Sequence, residues 1–110
     1  MDNLKVTISS SDSWLESLIE SLKDSEYAAE YLTVALEGKV ETNQLLRYAI
    51  KDVVEAHKKM NNLSEEAKLN YNKLDKILSE GGGAEIKALV NLIQGLGFQL
   101  VVSPQNNQSL

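Results

Sequence analysis

Apolar positions recur along most of this chain at the three- and four-residue spacing of an amphipathic helix. Leu15, Leu18, Ile19 and Leu22 form one stripe, with Glu16, Glu20 and Lys23 outside it. Ser13 and Glu16 have the spacing of a capping box, so a helix is predicted from about Trp14. Asp24 or Ser25 caps a second helix that turns Tyr27, Ala28, Tyr31, Leu32, Ala35 and Leu36 inward and ends at Gly38. Thr42 or Asn43 opens a longer third helix, which buries Leu45, Leu46, Ala49, Ile50, Val53 and Val54 and runs to about Lys59. Two short helices are predicted within 60–79, one starting at Asn62 with Glu65 three residues on, the other at Asn70 with Lys73. Gly81, Gly82 and Gly83 then break the chain as a flexible connection. A last helix from about Ala84 buries Ile86, Leu89, Val90, Ile93 and Leu96 and stops at Gly97.

A period of two appears only near the ends. Leu4, Val6 and Ile8 alternate with polar residues, as do Phe98, Leu100 and Val102, so each run is predicted to be a short strand. An isolated strand exposes unpaired backbone groups, and the two are therefore expected to pair, within one chain or across a dimer. Pro104 and the Asn/Gln-rich end form a tail. The expected fold is all-α, a compact bundle of about six helices with short N- and C-terminal strands. It is one domain over 1–110, with an arm at 1–11, N-terminal helices at 12–59, a helix pair at 60–79, a last helix and strand at 84–102, and a tail at 103–110.

The pair at 60–79 carries the clearest functional pattern. In a helix-turn-helix the first helix crosses the second closely, which requires a small residue, and Ser64 is small. Leu63, Leu69, Leu74 and Ile77 stand where apolar side chains lock the crossing angle. The turn position that favours glycine holds Lys68, at a cost of about 1 kcal/mol for a left-handed conformation. Two short helices of a plain bundle would show the same spacing. If the second helix enters the major groove, Tyr71, Asn72 and Lys73 lie nearest the base edges, with Lys76 one turn on. Asn pairs bidentately with adenine, Lys reaches guanine acceptors, and Tyr71 packs on a thymine methyl or bonds a phosphate. Asn62 and Lys68 would bind phosphate, and Asn70 completes the DNA-binding set. Asn62 and Asn70 also read as helix caps, Lys73 and Lys76 as solvated lysines, and Tyr71 as a side chain folded onto the core. Asp75 would repel phosphate unless it points sideways.

Composition changes this picture in two ways. Over 110 residues the net charge is −5, which disfavours non-specific attraction to nucleic acid. The charge is unevenly placed, because 1–57 carries −6, 80–110 carries −1, and 58–79 carries +2. The one net-positive window thus coincides with the helix pair. The excess acid in 12–41 (Asp12, Glu16, Glu20, Asp24, Glu26, Glu30, Glu37 and Glu41, against Lys23 and Lys39) is either solubilising charge or a surface for a basic partner. There is no Cys, which fits a reducing compartment, and no apolar run near the ~20 residues that span a bilayer, so a cytoplasmic protein without membrane contact is expected. No cofactor, metal or catalytic residue is predicted. His57 is the single His, without a second metal ligand of its kind, and the Gly81–Gly83 run lacks the strand and Lys-Ser/Thr of a phosphate loop.

From about Leu15 to Val102 the sequence resembles the addiction-module antidote proteins, HigA-like antitoxins with lambda-repressor-like DNA-binding domains. The likeness runs through Lys23-Asp24-Ser25-Glu26-Tyr27-Ala28-Ala29-Glu30-Tyr31-Leu32, Ala35-Leu36-Glu37, Leu45-Leu46 and Ala49-Ile50-Lys51-Asp52-Val53. It is most specific where Leu78-Ser79-Glu80-Gly81-Gly82 precedes Leu89-Val90-Asn91-Leu92-Ile93-Gln94-Gly95-Leu96-Gly97-Phe98-Gln99-Leu100. Members usually have Ala at Ser64, Gly at Lys68, and Ser and Arg near Asn70 and Tyr71. The resemblance implies a homodimeric repressor that binds double-stranded operator DNA and holds a small basic RelE/ParE-like toxin inactive. The alternative is an interaction module of the same build whose helix-turn-helix no longer binds DNA, favoured by the acidic balance and by Lys68.

Overall fold

The structure is a computed structural model that describes residues 13–38 and 43–105. Five helices lie within them: α1 over 13–21, α2 Ser25–Glu37, α3 Asn43–Lys59, α4 Glu65–Ser79 and α5 Gly83–Gly95. None is long and apolar enough to cross a membrane.

Local chemistry sets the helix ends. Asp24 caps α2 by accepting the Glu26 amide at 3.0 Å, and Gly38 closes it through a 3.2 Å bond to the Val34 carbonyl. Helices α3, α4 and α5 share one form of ending. Just past each, a residue of positive φ (Asn61, Gly81 and Gly97) lets its own amide and the one after it turn back onto the last carbonyls. In α3 these bonds run from Asn61 to Lys58 and from Asn62 to His57; in α4 from Gly81 to Leu78 and from Gly82 to Ile77. Gly81 and Gly82 are therefore a hydrogen-bonded stop in place of the flexible connection expected, and α5 begins at Gly83.

The core gathers where α1 and α2 meet α3. Ile19, Leu22, Ala28 and Ala56 are buried together, with Leu18, Tyr31 and Val53 packed against them. Two alanines in that cluster leave room for helix backbones to approach around Leu22, which is fully enclosed. The Tyr31 hydroxyl donates to Asp52 Oδ2 at 3.0 Å and ties α2 to α3. Helix α4 packs along α3, and α5 along α2, where Lys87 donates to the Gly38 carbonyl at the electronegative end of α2.

The all-α class holds, and three finer expectations are corrected. The two short helices of 60–79 are one helix, so five stand among the described residues in place of six. Phe98–Val102 forms no strand: the Phe98 amide returns to the Ile93 carbonyl of α5, and Gln99 and Val102 bond to side chains of α2. The Val102 amide donates to Thr33 Oγ1 at 2.9 Å, that hydroxyl donates to the Ala29 carbonyl at 2.8 Å, and Gln99 Nε2 donates to Glu37 at 2.7 Å. The proposed partner strand, Leu4–Ile8, lies outside the described residues. Several apolar residues assigned to the core face solvent, namely Leu15, Tyr27, Leu45, Leu69, Ile77, Leu89 and Leu96.

Candidate nucleic-acid interface

Helix α4 starts at Ser64, whose Oγ accepts the Ala67 amide at 3.0 Å. Ser64 thus serves as the N-cap, and the role of a small residue at a helix crossing does not arise. From there the helix runs unbroken for 15 residues, about 22 Å. Lys68 and Asn70, expected at the turn and at the start of a second helix, both lie inside it. Lys68 has no positive φ; Asn61 is the one non-glycine residue with positive φ among the described residues. The reason is compositional. Nothing between Glu65 and Ser79 is Gly or Pro, and the run contains helix-favouring Glu, Ala, Lys and Leu, so no residue pays the way out of the helix.

Continuity decides which predicted residues come together. Leu78 is buried, and Tyr71, Leu74 and Asp75 are half-buried, on the side toward α3. On the outer side, Lys68, Asn72 and Lys76 line up four residues apart, with Leu69 and Lys73 beside them. Asn70 sits roughly 160° around the axis from Asn72, on the other flank. Asn62 is exposed in the turn before α4 and starts no helix. Tyr71 does not face outward: burial, then the Asp75 carboxylate, push its hydroxyl pKa up, and Arg47 partly opposes this. The contact proposed for it with a thymine or a phosphate is replaced by packing toward α3.

Asp75 is held by a residue the sequence did not single out. Arg47 of α3 grips it with two parallel bonds, Nε to Oδ1 at 2.7 Å and Nη2 to Oδ2 at 3.2 Å. This fork geometry favours the ionised carboxylate. The hydrogen bond from Arg47 holds the Asp75 pKa below the usual carboxylate value, against a smaller opposing effect of burial. The expectation that Asp75 points sideways is met. The outer side of α4 therefore carries no carboxylate between Ala67 and Ser79, and the side chains of Asn72, Lys73 and Lys76 have no polar partner among the described residues. Lys68 lies 3.4 Å from Glu65, an exposed pair of little strength.

A cleft of about 270 Å³ separates the end of α3 from the start of α4, lined by Lys58, Asn61, Leu63 and Lys68. Lys68 thus borders a concave surface, and its neighbours there are Lys58 and Asn61 in place of the predicted Asn62. The helix boundary could have revealed Lys58 and Asn61, because Asn tolerates the left-handed conformation and Lys favours a helix C-terminus. His57 plays no part; its Nδ1 lies 3.1 Å from the Val53 carbonyl of its own helix. No protein-family model, no curated protein and no solved structure matches this chain.

Proposed function

We propose that the protein is a DNA-binding transcriptional regulator of the antitoxin type, acting as a homodimer on duplex DNA and holding a small basic toxin at a separate surface. The Arg47–Asp75 pair carries this reading. By turning the acid onto α3 it leaves Asn72, Lys73 and Lys76 on an outer face whose only carboxylates are in the first turn of α4, where Glu65 lies 3.4 Å from Lys68. The helix approaches as a single rod, with its middle and last turns toward the base edges and Glu65 and Glu66 kept at its N-terminal end. Asn72 reads adenine, Lys73 and Lys76 reach guanine or phosphate, and Leu69 meets a thymine methyl. The toxin surface is the acidic side of α1 and α2, where Glu16, Glu20, Glu26 and Glu30 are exposed.

The test is an electrophoretic shift with the DNA upstream of the protein's own reading frame, at low and moderate salt. Replacing both Asn72 and Lys73 by Ala is expected to abolish discrimination between that DNA and a scrambled duplex, each good contact being worth about 1–3 kcal/mol. Wild-type binding should weaken steeply with salt as counterions are released. Undiminished discrimination by the double variant would remove α4 from the interface.

The second reading is an interaction module without DNA binding. Its support is the absence of the helix-turn-helix bend, together with Leu69 and Ile77, which expose 63% and 51% of their surface on α4. No shift with duplex at low salt, together with retained capture of a basic toxin, would favour it.

A further inference from the structure

Asn72 and Asp75 stand three residues apart on α4, roughly 60° around its axis, so their side chains are neighbours. A helical side chain leans toward the turn before it, which carries the Asp75 carboxylate over the turn that holds Asn72. At this spacing a side-chain amide donates readily to a carboxylate. The structure shows no such bond. Asn72 is exposed and has no polar partner among the described residues, while Asp75 turns the other way, into the fork of Arg47. Two parallel bonds of 2.7 and 3.2 Å engage both carboxylate oxygens. Lys51 of α3 draws on Asp75 through charge alone, and Tyr48 and Tyr71 lie near the guanidinium.

Arg47 is what stands between the carboxylate and Asn72. Without it, Asp75 is free to swing outward and accept the Asn72 Nδ2 proton. That donor is the one adenine N7 requires, so an Asn72 bonded to Asp75 cannot pair bidentately with the base. The released charge would also face phosphate from the flank that Asn72 shares with Lys68. We infer that Arg47, a residue of α3 outside the interface, is a positioning residue for base recognition: by holding Asp75 it keeps the Asn72 amide available to adenine. This role rests on the α4 interface proposed above. It depends on the planar fork, which a lysine's point charge does not reproduce.

The experiment titrates wild type, Arg47→Ala, and Arg47→Ala with Asp75→Ala against the upstream duplex and a scrambled one, with circular dichroism to follow helix content. Arg47→Ala should weaken binding to the upstream duplex roughly tenfold or more and narrow its margin over the scrambled duplex. The double variant should recover both to within about threefold of wild type. Both variants lack the same ion pair, so a merely structural role for Arg47 would leave the double variant as weak as the single one, and that result overturns the proposal. Wild-type discrimination by Arg47→Ala overturns it too. A second readout needs no DNA. Near pH 4, where a free Asp titrates, the side-chain amide resonances of Asn72 should move in Arg47→Ala and stay still in the wild type. A wild type that shifts no duplex would remove the α4 interface. The Asn72 resonances would then still judge Arg47, and resonances that stay still in Arg47→Ala reject its role.

Discussion

The direction of one carboxylate sets the charge of α4's outer face. Asp75 belongs to the inward flank of α4, where Arg47 on α3 meets it with a planar fork. Both side chains remain about a third exposed, so solvent screens the pair and its worth lies more in orientation than in stability. The pH dependence follows from the lowered pKa of Asp75. A carboxylate whose native pKa lies below its unfolded value contributes stability above about pH 3.9, and that contribution is lost as pH falls through the lower native value. Asp75→Asn should therefore lower the melting temperature at neutral pH, with the difference from wild type vanishing in strong acid. Thermal melts across the acid range measure this, and a constant difference would reject it. Tyr31 gives the opposite sign. Burial first, then the hydrogen bond to Asp52, push its hydroxyl up to about 12. The stabilisation is present below the unfolded value of about 10 and disappears as pH rises through the native one. In ultraviolet titration Tyr31 should ionise late, with Tyr71 also shifted upward, and Tyr31→Phe should remove the step near 12.

At the scale of elements, α4 separates two accounts of the same residues. In a helix-turn-helix, Gly at position 68 would relieve a strained turn and stabilise the protein. In the continuous helix it loosens the backbone and should cost about 1 kcal/mol. Denaturant unfolding of Lys68→Gly distinguishes the two by sign. Ser64→Ala is expected to cost about 1 kcal/mol through loss of the cap on the Ala67 amide, and the same titration reads it. Most of the helical layout was legible in the sequence, because caps and stops are local signals. Asp24, Gly38, Lys59 and Gly97 mark boundaries within a residue or two of those observed. The interior of 60–79 misled because Leu63, Leu69, Leu74 and Ile77 fit the spacing of a bent pair while lacking any residue that breaks a helix. The 98–102 run misled for a different reason. Its alternation is that of a strand, but the Val102 amide finds its acceptor in Thr33 Oγ1, 69 positions away, in place of a neighbouring strand. Neither the Arg47–Asp75 pair nor the Thr33 contact leaves a signal in sequence spacing, since both join elements far apart in the chain.

At the scale of the whole molecule, α2 and α3 form a centre from which α4 and α5 project as two faces of different character. Helix α2 is tied to α3 through Tyr31 and Asp52, while α5 and the segment after it return to α2 through Lys87, Gln99 and Val102. Helix α4 has one buried residue, Leu78, and α3 is its principal support. A helix with so little buried apolar surface sits at the low end of local stability, and its amides should open without the rest of the chain. Hydrogen exchange should therefore be slowest around Leu22, Ala28 and Ala56 and clearly faster in α4. Arg47→Ala should speed exchange in α4 alone, leaving α1 and α2 at wild-type rates. Equal acceleration in all helices would mean that the molecule opens as one unit and that the pair supports the whole core. Selective acceleration would mean that α4 is an appended rod held in place by one fork, free to yield to a partner's surface without unfolding its base.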